Sequence, residues 1–219
     1  MVFDAYDIVA LSSNRRRLIV QLCVGPHRLG ATEHRRAVMF TAIGRSAWHT
    51  LTQNRRLLRE QQRRLLARDT PPIRVLEVGS GQRRGSKDFQ SAVEFARPET
   101  QFTMTDLDPA LGHRVLDITG PGTELGTFDL VLCCNVLEHV ADLPAAINGL
   151  ASLCAEDGEV FASTPYVYPY HDEPHDYWRP TVHGLTYLFA RRFDRVIVSS
   201  TGLRRFPFQI FVHAAGPKS

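Results

Sequence analysis

The sequence predicts an α/β fold: a doubly wound, mostly parallel seven-stranded sheet with helices on both faces and a terminal antiparallel strand. Three observations predict it. Apolar runs such as "FDLVLCC" (128–134) lack strict alternation, as expected for strands covered on both faces. These runs alternate with helical patterns, which implies right-handed crossovers between parallel neighbours. The first run, "IRVLEV" (73–78), leads into the turn "GSG" (79–81), the form a parallel sheet takes where a ligand approaches the backbone.

The elements follow in order. Residues 1–70 are arginine-rich and helical in pattern, and predict a helical segment that caps the following domain or forms a homodimer contact. Within them "TQNRRLLREQQRRLLARD" puts Leu57, Leu58, Leu65 and Leu66 on one face. "TPP" (70–72) ends this helix, and a second domain is expected over 71–219. In it "IRVLEV" (73–78), "QFTMTD" (101–106), "HRVLD" (113–117), "FDLVLCC" (128–134) and "GEVFAST" (158–164) read as strands. "SKDFQSAVEFA" (86–96), "LPAAINGLASLCA" (143–155) and "TVHGLTYLFARR" (181–192) read as helices. "FDRVIVSS" and "RFPFQIFVHA" close the chain as two strands; the short turn between them makes them antiparallel neighbours.

Composition narrows the function classes. At 219 residues and 43% hydrophobic content the chain can bury one full core. The net charge of +3 is mild, and arginine pairs such as Arg55-Arg56, Arg63-Arg64 and Arg83-Arg84 are spread along the chain among 23 acids. That pattern is a solvated surface rather than a nucleic-acid stripe. Cys23, Cys133, Cys134 and Cys154 show no Cys-x-x-Cys spacing and read as buried thiols in a reducing compartment. The start carries no secretory pattern, and no apolar run is long enough to span a bilayer, so the expectation is cytoplasmic with no membrane partner.

The motifs carry more. After "VLEVGSG" the next strand ends "TDLDP", and a carboxylate there, Asp106, can accept two hydrogen bonds from a ribose. No Gly-x-x-x-x-Gly-Lys-Ser/Thr occurs, which excludes a P-loop. The order "VLEVGSG … TDLDP … LDITG … FDLVLCCNVLEHV … EDGEVFASTP" resembles the class I S-adenosylmethionine-dependent methyltransferases, over about residues 73–165 plus the terminal strands. The resemblance implies a Rossmann-like catalytic domain with S-adenosylmethionine as cofactor. It places Glu77 near the cofactor's amino end, and Gly79, Ser80 and Gly81 by its methionine part. Asp106 would take the ribose hydroxyls and Leu107 would lie along the adenine. Asp117 would face the adenine amino group, with the Ile118 backbone N–H nearby. Asn135 and Leu137 would line the methionine and sulfonium side. The turn continues Gln82-Arg83 where many relatives have a third glycine, so its fine geometry departs from the pattern. The Asn/Asp-Pro-Pro-Tyr/Phe motif of DNA amino-methyltransferases is absent.

A hydroxyl acceptor needs a base within hydrogen-bond reach, and histidine suits neutral pH. His139, just after the fourth strand, is the first candidate, with Glu138 orienting it or capping the next helix. His171 and His175 are alternatives. They belong to "YPYHDEPHDYWRP" (168–180), which follows strand five on the carboxyl edge of the sheet. The segment resembles "HDYWRFTPxGL"-like sequences of bacterial methyltransferases of this group, with Pro180 in place of an aromatic. Three readings of it stand. His171, Asp172, His175 and Asp176 could hold Mg²⁺ or a transition metal. Tyr168, Tyr170, Tyr177 and Trp178 could present flat faces to a sugar, with Asp176 and Arg179 for its hydroxyls. Or Asp176–Arg179 is an internal ion pair and the aromatics are core. The resulting expectation is an O-methyltransferase whose acceptor is a small molecule, a saccharide or hydroxylated natural product. The rival expectations are an RNA or protein methyltransferase that uses the arginine-rich N-terminal region, and a non-catalytic methyltransferase-like subunit.

Overall fold

The computed structural model describes residues 54–70, 72–81, 91–120, 124–172, 174–203 and 206–218. Most of the expected N-terminal segment, its homodimer contact and Cys23 therefore lie outside the described residues. Seven strands form one sheet: β1 (Arg74–Val78), β2 (Gln101–Asp106), β3 (Arg114–Val115), β4 (Phe128–Cys134), β5 (Cys154–Pro165), β6 (Phe193–Leu203) and β7 (Phe206–Pro217). Their order is β3-β2-β1-β4-β5-β7-β6. Strands β1 to β5 pair in parallel, and β7 runs antiparallel to both β5 and β6. The strand order reverses between β1 and β4, and the crevice beyond their carboxyl ends is where such sheets bind ligands.

Period-2 alternation along apolar strands gives two cores. Leu76, Val131 and Cys133 face α2 (Leu143–Leu153) and α3 (Val182–Ala190), meeting Ile147, Leu150, Leu185 and Phe189. Val75, Leu130, Leu132 and Phe161 face the opposite way, onto Leu66 and Ala92. Burial on both faces is why these strands read as unbroken apolar runs.

Helix α1 runs through 54–66 and belongs to the compact unit Thr52–Ser219 that holds the sheet. Its buried face differs from the expected one. Leu66 is buried and Leu58 and Leu65 pack beside it, but Leu57 is exposed. The inward stripe is completed by two polar side chains. Asn54 Oδ1 accepts from Thr201 Oγ1 (2.8 Å), and Gln62 Nε2 donates to Cys134 Sγ (3.6 Å). Successive spacings of four residues put Asn54, Leu58, Gln62 and Leu66 along one ridge of the helix.

Other boundaries also move. The described part of the helix expected over 86–96 is a single 3₁₀ turn, Ala92–Phe95, while 82–90 lie outside the described residues. Pro98 disfavours helical backbone at Arg97 and so limits this turn. Strand β3 has two residues rather than five, because Asp117 turns the chain through bonds to Thr119. Strand β5 starts at Cys154, inside the helix expected to reach 155. Among the described residues, no helix is long and apolar enough to cross a membrane.

Candidate active site

The first half of the site grows from the ends of β1 and β2. Gly79 and Gly81 have φ of 66° and 59°, the left-handed region that other residues rarely adopt. A Cβ on Gly79 would also lie 2.4 Å from Val136 Cγ2. The turn is stitched to β2: the Ser80 N–H donates to the Thr105 carbonyl (2.9 Å), and the Gly81 N–H donates to Asp106 Oδ2 (2.9 Å). Asp106 Oδ1 accepts from the Asp108 N–H (3.1 Å), which leaves the carboxylate lone pairs for further donors. Beside it Leu107 is 66% exposed, an apolar side chain held open at a strand end. Asp117 accepts from the Thr119 hydroxyl (2.7 Å) and N–H (2.8 Å), and these bonds hold its carboxyl below the ordinary range. It lines an open groove with Leu116, Gly120 and Leu125. Ile118 is buried under α2, so close that a Cβ on Gly149 would lie 1.9 Å from the Ile118 carbonyl oxygen.

Two of the residues expected at the cofactor pack inward. Glu77 is buried, and its carboxylate accepts from the Ala92 N–H (2.8 Å) and the Ser91 hydroxyl. It anchors the chain where the 3₁₀ turn begins. Leu137 is completely buried and packs in the core cluster. The side chain that meets the glycine turn is Val136, one residue earlier. Asn135 takes a left-handed φ of 55°. Its N–H donates to the Ser163 carbonyl (2.8 Å), and its Oδ1 accepts from Gln209 Nε2 (2.6 Å) and Ser163 Oγ (3.2 Å).

The second half lies where β4 ends and the chain leaves β5. Glu138 is fully buried, and neither carboxylate oxygen has a hydrogen-bond partner. Burial pushes its carboxyl up to about 8, against its own backbone N–H, Arg179 and the nearby Thr164 hydroxyl. The Thr164 hydroxyl donates to the Pro165 carbonyl instead (3.4 Å). The helix-capping role belongs to Asp142, whose side chain accepts from the Ala145 N–H. His139 Nδ1 donates to the His175 carbonyl (2.9 Å), which leaves the lone pair on Nε2. That Nε2 is 3.8 Å from a Glu138 oxygen and 3.8 Å from Asp172 Oδ2. The His171 ring stands edge-on to His139 at 4.7 Å between centroids, and Tyr168 packs edge-on against His171 at 4.8 Å.

The loop is closed by its own polar groups. Asp176 and Arg179 form a two-pronged pair at 2.6 and 2.7 Å, and the Asp176 side chain is only 2% exposed. Arg179 holds the Asp176 carboxyl far below the ordinary range. The Tyr177 and Trp178 N–H groups both donate to the Glu138 carbonyl (2.8 and 3.2 Å), and Trp178 Nε1 donates to the Val140 carbonyl (2.8 Å).

A family model described as "Methyltransferase domain" matches residues 49–204. The chain belongs to that family. Its domain is a class I S-adenosylmethionine-dependent methyltransferase. It is 35% identical over 107 residues to a ubiquinone biosynthesis O-methyltransferase of Xanthomonas axonopodis pv. citri, covering 42% of each chain. It is 28% identical over 129 residues to the highly reducing polyketide synthase GPY1 of Gibberella fujikuroi, covering 50% of this chain and 5% of that one. The chain thus spans less than half the length of these curated relatives. The fold is shared with the Burkholderia thailandensis 1,6-didemethyltoxoflavin-N1-methyltransferase, at a TM-score of 0.55, 19% identity and coverage of 88% and 93%.

In this methyltransferase the residues fit the cofactor that the family uses. The glycine turn packs its backbone directly against Val136, where a Cβ on Gly79 would clash, and Asp106 and Leu107 flank the turn with an acceptor and an open apolar face. On the other side the structure brings His139 and His171 together and leaves His175 apart. The His175 ring bonds the Tyr177 hydroxyl (2.7 Å), and only its carbonyl serves His139. Asp176 and Arg179 pair with each other, the internal ion pair of one of the three readings of this segment. Tyr170, Tyr177 and Trp178 are exposed. Val136, Gly149, Ser163 and Gln209 were not singled out by the sequence. Only Gly149 carried a signal, a glycine inside a helix. Cys133 and Cys154 are buried and Cys134 half-buried; burial pushes the Cys134 and Cys154 thiols up to about 12 and the Cys133 thiol well above its ordinary value, so none is a ready thiolate.

Proposed function

We propose that this domain is an O-methyltransferase acting on a hydroxyl of a small molecule, a saccharide or similarly hydroxylated natural product. The observation that carries the reading is the tautomer of His139. Its Nδ1–H is fixed on the His175 carbonyl, so its Nε2 presents a lone pair at the end of β4. When bound, S-adenosylmethionine supplies an activated methyl group. The chain's own task is to place the acceptor oxygen and to take its proton at His139 Nε2, which an oxygen nucleophile requires. Tyr168, Tyr170, Tyr177 and Trp178 offer the flat apolar faces, and Asp106, Leu107, Asp117 and the Gly79–Gly81 turn hold the cofactor. The O-methyltransferase match supports oxygen as the acceptor atom.

The test is methyl transfer from labelled S-adenosylmethionine to a panel of polyols, phenols and amines by the purified chain. Label on oxygen, with turnover reduced at least about hundredfold in His139→Ala and S-adenosylhomocysteine affinity retained, is the expected outcome. Label on carbon or nitrogen would refute the reading. The polyketide synthase match makes carbon the first alternative to assay.

A further inference from the structure

Glu138, His139 and His171 hold one carboxylate oxygen and two imidazole nitrogens within 4.8 Å of one another. They come from two separate segments, the turn after β4 and the loop after β5. The loop metal set expected from sequence alone (His171, Asp172, His175, Asp176) is not gathered. The one assembled here shares only His171 with it.

Two independent features point to a missing partner. The Glu138 carboxylate is fully buried and neither oxygen receives a hydrogen bond. Buried polar groups are ordinarily hydrogen-bonded, so a buried acid side chain without a donor points to a partner that is missing. Both imidazoles are also tied at Nδ1, and His171 Nδ1 lies in addition 3.4 Å from Asp176 Oδ2. His139 Nδ1 bonds the His175 carbonyl (2.9 Å) and His171 Nδ1 bonds the Pro169 carbonyl (3.2 Å). A backbone carbonyl on one ring nitrogen fixes the tautomer and turns the lone pair of the other outward, the outer-shell arrangement of metal-ligating histidines.

We propose that Glu138, His139 and His171 form a binding site for a divalent first-row transition metal, with open positions for the acceptor's oxygens. Two nitrogens and one carboxylate favour such a metal over Mg²⁺, which takes oxygen ligands. A tetrahedral set needs donor atoms about 3.4 Å apart, given metal–ligand bonds of about 2.1 Å. The spread of up to 4.8 Å is wider than that, so metal binding would draw His171 and its loop inward. Asp172, 3.8 Å from His139 Nε2 and largely exposed, stands at the rim as a further donor. With the cation bound, His139 Nε2 would serve as a ligand, and metal-assisted deprotonation would replace the His139 base step of the proposed function. The cation then holds the acceptor hydroxyl and acidifies it, and the proton passes to water. Only this role rests on the O-methyl reading; the binding itself does not.

The test uses the purified full chain, stripped with a chelator and titrated with Co²⁺ by calorimetry and visible absorption. One equivalent of Co²⁺ should bind, with ligand-field bands of a nitrogen/oxygen site. Glu138→Gln and His171→Ala should each weaken Co²⁺ binding at least about tenfold, with S-adenosylhomocysteine affinity unchanged. Absence of saturable Co²⁺ binding, or binding equally tight in both variants, would overturn the site. Should Glu138→Gln fail to fold, His171→Ala decides alone, because its loop lies outside both cores. Stoichiometric Co²⁺ binding by a protein that methylates only amines would keep the site and remove the O-methyl reading.

Discussion

The turn at 79–81 and the loop at 166–181 leave the same edge of one sheet, yet they are held by different means. The turn is shaped by backbone: two left-handed glycines, two N–H groups on the end of β2, and a contact with Val136 that tolerates no side chain. The loop is shaped by side chains: Asp176 on Arg179, Trp178 on Val140, His139 on the His175 carbonyl. A backbone-built turn recurs as a short motif wherever the same cofactor binds. A loop built from side-chain bonds can be rewired one pair at a time, which suits the part that meets a variable acceptor.

Three changes would sharpen or break this contrast. Gly79→Ala should have the largest effect. It adds left-handed strain of about 1–2 kcal/mol and displaces Val136, and should weaken S-adenosylhomocysteine about hundredfold in a calorimetric titration. Unchanged affinity would mean the turn is more plastic than its contacts imply. Asp176→Ala comes next. It leaves a half-buried guanidinium without its partner and should lower stability by about 2 kcal/mol in urea unfolding. The same variant should raise the acceptor KM while cofactor affinity stays within about twofold; an equal loss on the cofactor side would join the two regions into one unit. The smallest effect lies in neither region and serves as a reference. Glu159 joins β5 to His213 on β7 and to Arg68, and these bonds hold its carboxyl below the ordinary range despite burial. A lowered folded pKa contributes stability above the unfolded value of about 4.3, and that contribution fades as pH falls through the folded pKa. Glu159→Gln should therefore be about 1 kcal/mol less stable than wild type at neutral pH, with the gap closing below about pH 4. A gap that persists at low pH would assign the loss to packing.

Much of the cofactor half was legible because its chemistry sits on strand ends. Gly79, Gly81, Asp106, Leu107 and Asp117 fall where strand-then-turn patterns put them. The packing of Glu77 and Leu137 was not legible: a motif does not show that Ser91 and the Ala92 N–H bond the one or that the core surrounds the other. The α1 stripe was misread because Asn54 and Gln62 are polar, and a pattern built on apolar residues skips them. In the loop, sequence proximity suggested a four-residue metal set. The group the structure gathers joins His171 to Glu138 and His139, more than thirty positions earlier, and no spacing rule reaches across that distance.

The Glu138 carbonyl receives the N–H groups of both Tyr177 and Trp178. These two bonds make the shape of the loop depend on the position of Glu138 at the end of β4. Mild denaturant should release the Tyr177 and Trp178 amides to solvent exchange while the Gly81 amide, held by Asp106, stays protected. A partly opened protein of this kind would keep its grip on the cofactor after losing the shape that recognises the acceptor.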